Sequence, residues 1–179
     1  STPKATQEER IRMNNLAAAF CLTAQGIPFF QAGEEMLRSK PLPNGGFEHN
    51  SFRSSDEINS IKWNLLDQPE YRMCYAYYQG LIAFRKAHKV LRLTTAKEAL
   101  SAVSTVATGN PHALAFRVKD GAEDLFLVFN ADTEALSMPL PKGKWNVCIK
   151  DGKAGTETLE TVEGTIRISP ITAMALVKA

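Results

Sequence analysis

Two stretches carry most of the residues suited to chemistry. "GIPFFQAGEE", residues 26–35, ends in the adjacent carboxylates Glu34 and Glu35, with Arg38 close behind. "EHNSFRSSDEIN", residues 48–59, brings Asn50, Arg53 and Asp56, whose donors and acceptors suit a ligand rich in hydroxyl groups. Phe47 and Phe52 flank them with rings that can stack on the apolar faces of pyranoses. Two carboxylates cut a glycosidic bond only when they stand on either side of it. Neighbours on an extended chain point to opposite faces, so Glu34 and Glu35 cannot both flank one such bond and are not expected to act as nucleophile and acid. The competing reading of Glu35 is a buried carboxylate bonded to backbone groups or to Arg38, because an unpartnered buried charge is costly. For "SSDE" it is the start of a turn or short helix at Ser54, Ser55 or Asp56. His49 reads as a hydrogen-bonding loop residue. No second His or Cys stands at metal spacing, so neither a metal site nor a cofactor is expected.

These groups sit in a half of the chain that reads helix, strand, long loop, helix. Thr6 with Glu9 three residues on is a capping box. Ile11, Leu16, Ala19, Phe20 and Thr23 then mark an apolar face, and Gly26 ends the helix. The consecutive apolar residues from Ile27 predict a strand buried on both faces, of the kind found in parallel sheets. A second helix is predicted over Pro69–His88. Met73, Tyr77, Tyr78, Leu81, Ile82 and Phe84 form its apolar positions, and Arg85, Lys86 and His88 complement its dipole. From about residue 96 the period becomes two, and strands are predicted near 101–107, 112–118, 124–130, 135–140, 143–149, 156–162, 164–169 and 171–177. The boundary between the halves falls near "RLTTAKEA", residues 92–99. Trp63 is expected to pack under the loop, with a sugar platform as the alternative. Trp145 and the tyrosines Tyr71, Tyr75, Tyr77 and Tyr78 are expected to pack in cores.

Composition narrows the classes. Of 179 residues 44% are hydrophobic, enough for a core, and the formal charge of +2 from 21 basic and 19 acidic residues does not suggest a nucleic-acid surface. No apolar run reaches the length of a membrane-spanning helix. Cys21, Cys74 and Cys148 are widely spaced and read as buried thiols. "STPKATQEER" lacks an initiator Met and a signal-peptide pattern and is read as the start of a piece cut from a longer chain.

The pattern G26-x-P28-x-x-x-x-G33-x-E35 resembles a signature of the α-amylase superfamily of glycoside hydrolases, where it covers the eighth barrel strand and the turn after it. "EEMLRSK", "HNSFRSSDEINSIKW" and the helix "YAYYQGLIAFRKAHKVLR" resemble the type I pullulanases in particular. The resemblance implies an α/β piece over residues 1–95, the last helix-strand-helix of a (β/α)8 barrel, followed by an all-β C-terminal sandwich over 96–179. It implies a parent enzyme that hydrolyses α-1,6 branch linkages in pullulan, amylopectin or limit dextrins with retention. Such an enzyme uses a carboxylate pair roughly 5 Å apart. The motifs that carry the family's nucleophile, acid/base and third carboxylate do not occur in this chain, so the chain alone is expected to be inactive. Its catalytic residues are none, and Glu34, Glu35, Arg38, Asn50, Arg53 and Asp56 are the substrate-proximal set. The implied partner is an α-glucan, with neither nucleic acid nor membrane. A lone eighth strand lacks both neighbours, so it is expected to pair with another copy, to repack, or to stay irregular. Two other readings compete: a glucan-binding sandwich, which needs exposed aromatics aligned on one sheet face, and an unrelated stand-alone α+β domain.

Overall fold

The computed structural model describes residues 4–179, so Ser1–Pro3 of the N-terminal decapeptide lie outside the described residues. Helix α1, Gln7–Thr23, begins where the capping box predicts. The Thr6 hydroxyl accepts from the Glu9 amide at 3.2 Å, and the Glu9 carboxylate accepts from the Thr6 amide at 2.7 Å. Its buried positions are Ala18, Ala19, Leu22 and Thr23, and Phe20, half exposed, lies at the rim of that face with its ring edge-on to Phe129 at 5.1 Å. Residues 37–68 hold short helical turns, among them the single-turn helix α2, Asp56–Asn59. Helix α3, Pro69–Ala87, buries Cys74, Tyr77, Tyr78, Leu81, Phe84 and Arg85. Met73 and Ile82, both assigned to its apolar face by spacing, are exposed.

The β-rich half opens on a helix that period-two reading misses: α4, Ala96–Ala102, capped by Thr95 and Glu98 in a second capping box. Nine strands follow: β1 Val103–Val106, β2 Ala113–Asp120, β3 Glu123–Asn130, β4 Leu136–Pro139, β5 Trp145–Lys150, β6 Lys153–Ala154, β7 Glu160–Val162, β8 Thr165–Ile168 and β9 Thr172–Lys178. The main sheet runs β1-β2-β3-β9-β5, with β6 and β7 both paired to β5; β4 and β8 form a separate pair. Every pairing is antiparallel.

Strict alternation gives the central strands two apolar faces. Leu125, Leu127 and Phe129 of β3 join Ala173 and Ala175 of β9 in a core shared with α1 and α3. Phe126, Val128, Met174 and Leu176 face the other way, into a core closed by Leu136, Met138, Ile166 and Ile168 of the small sheet. Small residues meet at the helix side: Ala18 and Ala19 of α1 share that core with Ala173 and Ala175, which lets helix and sheet approach closely. Trp145 is fully buried in the second core, as its strand position predicts, and its indole N–H donates to the Pro141 carbonyl at 2.9 Å. A bulge between Val147 and Ile149 re-aims β5: Trp145 and Val147 face the small sheet, whereas Cys148 and Ile149 face the helices.

The strand predicted from Ile27 is not there. Residues 27–31 run without pairing, and Ile27 and Phe29 are 96% and 91% exposed. Of the three fates expected for such a segment, the structure describes the irregular one. The physical reason is that apolar content does not make a strand; neighbouring edges do. Cys21 is likewise only partly buried, whereas Cys74 and Cys148 are buried.

Two measurements test this packing. Gly80 lies inside α3, where an added Cβ would overlap the carbonyl oxygen of Ala154 in β6. Alanine for glycine in an open helix gains about 0.5–1 kcal/mol; here Gly80→Ala is expected to cost about 1–3 kcal/mol in urea unfolding, and a stabilised variant would contradict the close approach. Arg117 and Asp124 form a bidentate pair at 2.8 and 2.6 Å between β2 and β3. The Arg117 hydrogen bonds hold the Asp124 carboxyl below its ordinary pKa, against the opposing effect of burial. A depressed carboxylate stabilises fully above its unfolded value and loses that contribution as pH falls through the folded one. The stability difference between the wild type and Asp124→Asn is therefore expected to be level from about pH 5 to 8 and to narrow below about pH 4. Widening on acidification would contradict it.

Candidate functional site

Glu34 and Glu35 lie in a 3-10 turn, Glu34–Met36, not on an extended chain. Each carboxylate folds back onto the backbone before it. Glu34 Oε1 accepts from the Gln31 amide at 3.0 Å, and Glu35 Oε2 from the Gly33 amide at 2.8 Å. The two are thus separated by what they cap rather than by strand alternation. Gly33, at φ 99°, permits the reversal, and the Arg38 side chain lies over it where a Cβ would stand. Leu37 closes the turn in the left-handed region at φ 53°.

Arg38 does not pair with Glu35. Its guanidinium donates to the Ala32 carbonyl at 3.0 Å and to the Asn59 carbonyl, and its Nε is buried without a partner. Arg38 thereby ties the turn to the far end of the polar loop. Asn59 continues the link, its side-chain amide donating to the carbonyls of Ser51 at 2.7 Å and Ser54 at 2.9 Å. Lys40 donates to the Ser51 hydroxyl. Behind the turn, Asn14 of α1 donates to the Glu34 carbonyl and the Tyr78 hydroxyl at 3.4 and 3.1 Å. Burial, with the nearby Glu35 charge adding to it, pushes the Cys74 thiol up to about 11 and leaves it unreactive at neutral pH. Tyr78 is raised in the same way, with burial the main cause.

The remaining predicted residues stand on the outside of this frame. Asn50, Arg53 and Asp56 are all exposed, on a 3-10 turn over Ser51–Arg53 and at the start of α2. Ser55 is the N-cap of α2, so "SSDE" does start a short helix, but without a side-chain cap bond. His49 is exposed. Phe47 and Phe52 are exposed too, and Trp63, expected beneath the loop, is 58% exposed at the start of the turn Trp63–Asp67. The loop thus presents Phe47, Phe52 and Trp63 to solvent together with the hydrogen-bonding side chains of His49, Asn50, Arg53 and Asp56, over a backbone braced by Arg38, Asn59 and Lys40. Sequence reasoning missed Asn59 and Lys40; the signal that could have found Asn59 is an amide side chain closing a Ser-rich loop.

Cavities among the described residues adjoin acidic groups. One of about 180 Å³ lies between α1 and the turn, lined by Asn14, Cys21, Phe29, Phe30, Glu34 and Tyr78 among others. Another of about 340 Å³ is bordered by Glu8, Glu70 and Asp151, with Glu8 paired to Arg12 at 2.6 Å. Among the described residues no group of three or more His, Cys, Asp or Glu could hold a metal ion.

Comparison with known proteins gives a consistent result. No protein-family model matches the chain. It is 31% identical over 144 residues to a pullulanase of Bacillus subtilis (strain 168), which covers 78% of this chain but 19% of the relative. Among solved structures, pullulanase from Bacillus acidopullulyticus superposes with a TM-score of 0.90 at 28% identity, over 99% of this chain and 22% of that one. Pullulanase from Paenibacillus barengoltzii, solved with maltohexaose and alpha-cyclodextrin, does so with a TM-score of 0.81 at 33% identity, over 99% and 27%. The chain therefore spans roughly a fifth to a quarter of the length of these relatives.

The bracing role of Arg38 is open to test. Arg38→Met leaves the Asn59 carbonyl without its charged donor, at a cost of about 1.5–3 kcal/mol to the local fold of the loop. Chymotrypsin is expected to cut after Phe47 and Phe52 several-fold faster in the variant while cleavage within the sandwich stays unchanged. Equal rates in the two proteins would remove Arg38 from this role.

Proposed function

We propose, from the premise that this chain is a segment of the type I pullulanase family, that it supplies the non-catalytic end of an α-glucan debranching hydrolase. Residues 1–95 correspond to the last helix-strand-helix of a (β/α) barrel, in which the segment from Ile27 becomes a strand only beside its barrel neighbours, and 96–179 correspond to the β-sandwich beside it. The parent enzyme hydrolyses α-1,6-glucosidic branch linkages in pullulan, amylopectin or limit dextrins with retention, using carboxylates outside this chain. The observation that carries this reading is the segment after α1. Ile27 and Phe29 are almost wholly exposed on an unpaired backbone whose two ends are held in place. Such a sequence is suited to burial between two strands, the setting of a barrel strand.

In that setting the turn at Glu34–Met36 follows the C-terminal end of the strand, where barrels build their active sites. Glu34, Glu35 and Arg38 then shape the wall of the cleft, and the braced loop presents Asn50, Arg53 and Asp56 to the glucan. Phe47, Phe52 and Trp63 supply stacking surfaces for glucose rings. The Paenibacillus relative was solved with maltohexaose, and a Bacillus subtilis relative with maltose, which supports a malto-oligosaccharide as the ligand class. A glucan-binding role for the sandwich has no such support. Every exposed aromatic residue among those described, Phe20, Phe29, Phe47, Phe52 and Trp63, precedes residue 96.

Titration of the chain with maltotetraose, followed by amide NMR, tests the loop assignment. Perturbations are expected over residues 47–63 and not in β2, β3 or β9. Perturbations confined to the sandwich, or none at millimolar sugar, would overturn it. Incubation with pullulan is expected to release no reducing sugar above a blank, and measurable release would overturn the non-catalytic assignment.

A further inference from the structure

The motif Y-x-G-L-I-x-x-R-K-x-H of α3 contains a residue whose place in the structure is not where its sequence position suggests. Arg85 lies in the last turn of α3, where a cation favours its own helix dipole. Instead the guanidinium crosses to α1. It donates to the carbonyls of Leu22 at 3.0 Å, Ala24 at 2.7 Å and Gly26 at 2.6 Å. We propose that Arg85 is the positioning residue of the 27–38 segment: it fixes the point and direction at which the chain leaves α1, and so where the braced loop stands.

Three observations carry this. First, α1 closes its end only in part: the Ala24 amide donates to the Phe20 carbonyl and the Thr23 hydroxyl to the Ala19 carbonyl, whereas the Leu22 carbonyl accepts from Arg85. Its last turn has no basic residue, and a helix leaves its final carbonyls without intrahelical partners. Arg85 supplies, from the neighbouring helix, a donor to the Leu22 carbonyl and the positive charge that this end lacks, and extends both to Ala24 and Gly26 just beyond it. Second, Arg85 is 7% exposed, and its hydrogen-bond partners are carbonyls alone. Burial, with Arg92 nearby, lowers its pKa, yet a guanidinium remains charged. Those carbonyls are thus the groups that compensate a buried cation, and they are not free to drift. Third, the clamp acts on the residue that sets the exit. Gly26, at φ 87°, is the last residue before the unpaired Ile27–Gln31, and Arg85 bonds its carbonyl.

Neighbouring groups reinforce the arrangement. Gln25 donates to the Val90 carbonyl at 2.6 Å and accepts from the Leu93 amide at 3.3 Å, strapping the same turn to the chain after α3. Arg92 donates to the Arg85 carbonyl at 3.1 Å, fixing the backbone from which the clamp extends. Downstream, Phe30 rests edge-on against Tyr78 with ring centroids 5.7 Å apart. Between Gly26 and Phe30 the chain has no strand partner, so its course follows from how the two ends are held. A lysine cannot reproduce this, since one ammonium lacks the forked donors that reach three carbonyls.

The clamp stands on its own geometry; its consequence for glucan contact rests on the reading given above. The test uses Arg85→Met and Arg85→Lys in this chain, followed by amide NMR. In Arg85→Met the amides of Cys21–Ala24 are expected to exchange on the order of tenfold faster or more, while those of β3 and β9 keep their rates. Amide shifts over residues 27–38 are expected to move with them and to return part of the way in Arg85→Lys. Unchanged exchange at Cys21–Ala24, unmoved shifts over 27–38, or acceleration of equal size in β3 and β9 would overturn the proposal. If Arg85→Met does not fold, Arg85→Lys decides by the same comparison. Maltotetraose perturbation of the wild type reports on the glucan reading alone, so the two fail separately.

Discussion

Strand β3 is apolar on both faces, and the rest of the molecule is arranged to cover it. Leu125, Leu127 and Phe129 point one way and Phe126 and Val128 the other, all buried. Neither side could be left to water, because each of these side chains contributes about 1.5–3 kcal/mol when removed from it. The helices cover one face and the β4–β8 pair the other, which makes the main sheet the middle of three layers. Its partner β9 meets the same demand with unequal residues. Ala173 and Ala175 face the helices and admit α1 at close range, while Met174 and Leu176 fill the inter-sheet core. The bulge in β5 belongs to the same solution, since it turns Ile149 toward the helices while Trp145 stays between the sheets.

Helix α3 is where this stable body meets the polar loops. Gly80 lets its backbone touch Ala154 in β6, and His88 at its end stands 3.4 Å from Glu123 at the start of β3. Glu123 also accepts from the Val90 amide at 2.6 Å. On its other side α3 holds α1 through Arg85, Tyr78 and Cys74, and Asn14 of α1 in turn holds the Glu34 carbonyl. The segment between those holds, Ile27–Gln31, has no strand partner; Phe30 rests on Tyr78, while Ile27 and Phe29 stand in solvent. A rigid frame beneath an unpaired apolar stretch is what the proposed barrel terminus requires.

Much of this was legible in the sequence where the signal is local. The Thr6–Glu9 capping box marks α1, and Pro69 with the Tyr-Tyr-Leu-Phe spacing marks α3, because caps and periodicity act within a turn or two. The same box recurs at Thr95–Glu98 and would have found α4; β-type alternation beyond it hid the signal. The failures are tertiary. A strand at Ile27 needs edges on both sides that no nearby residue provides. Met73 and Ile82 have helical spacing but sit where no layer covers α3. Trp63 depended on a loop path that short polar residues do not specify. At the candidate site the residue types of Asn50, Arg53 and Asp56 singled out a loop that the structure places in solvent. The bonds that brace it, from Arg38 to Ala32 and Asn59, run to backbone carbonyls, which leave no trace in side-chain pattern.

The central claim is that Ile27 and Phe29 are apolar for the sake of neighbours this chain does not contain. Urea unfolding of the double variant Ile27→Asn/Phe29→Ser addresses it directly. If those side chains pack against nothing here, the unfolding free energy should stay within about 0.5 kcal/mol of the wild type, as for other exposed positions. A loss of several kcal/mol, on the scale of emptying a core site, would mean that the segment belongs to a self-contained fold and would contradict the account.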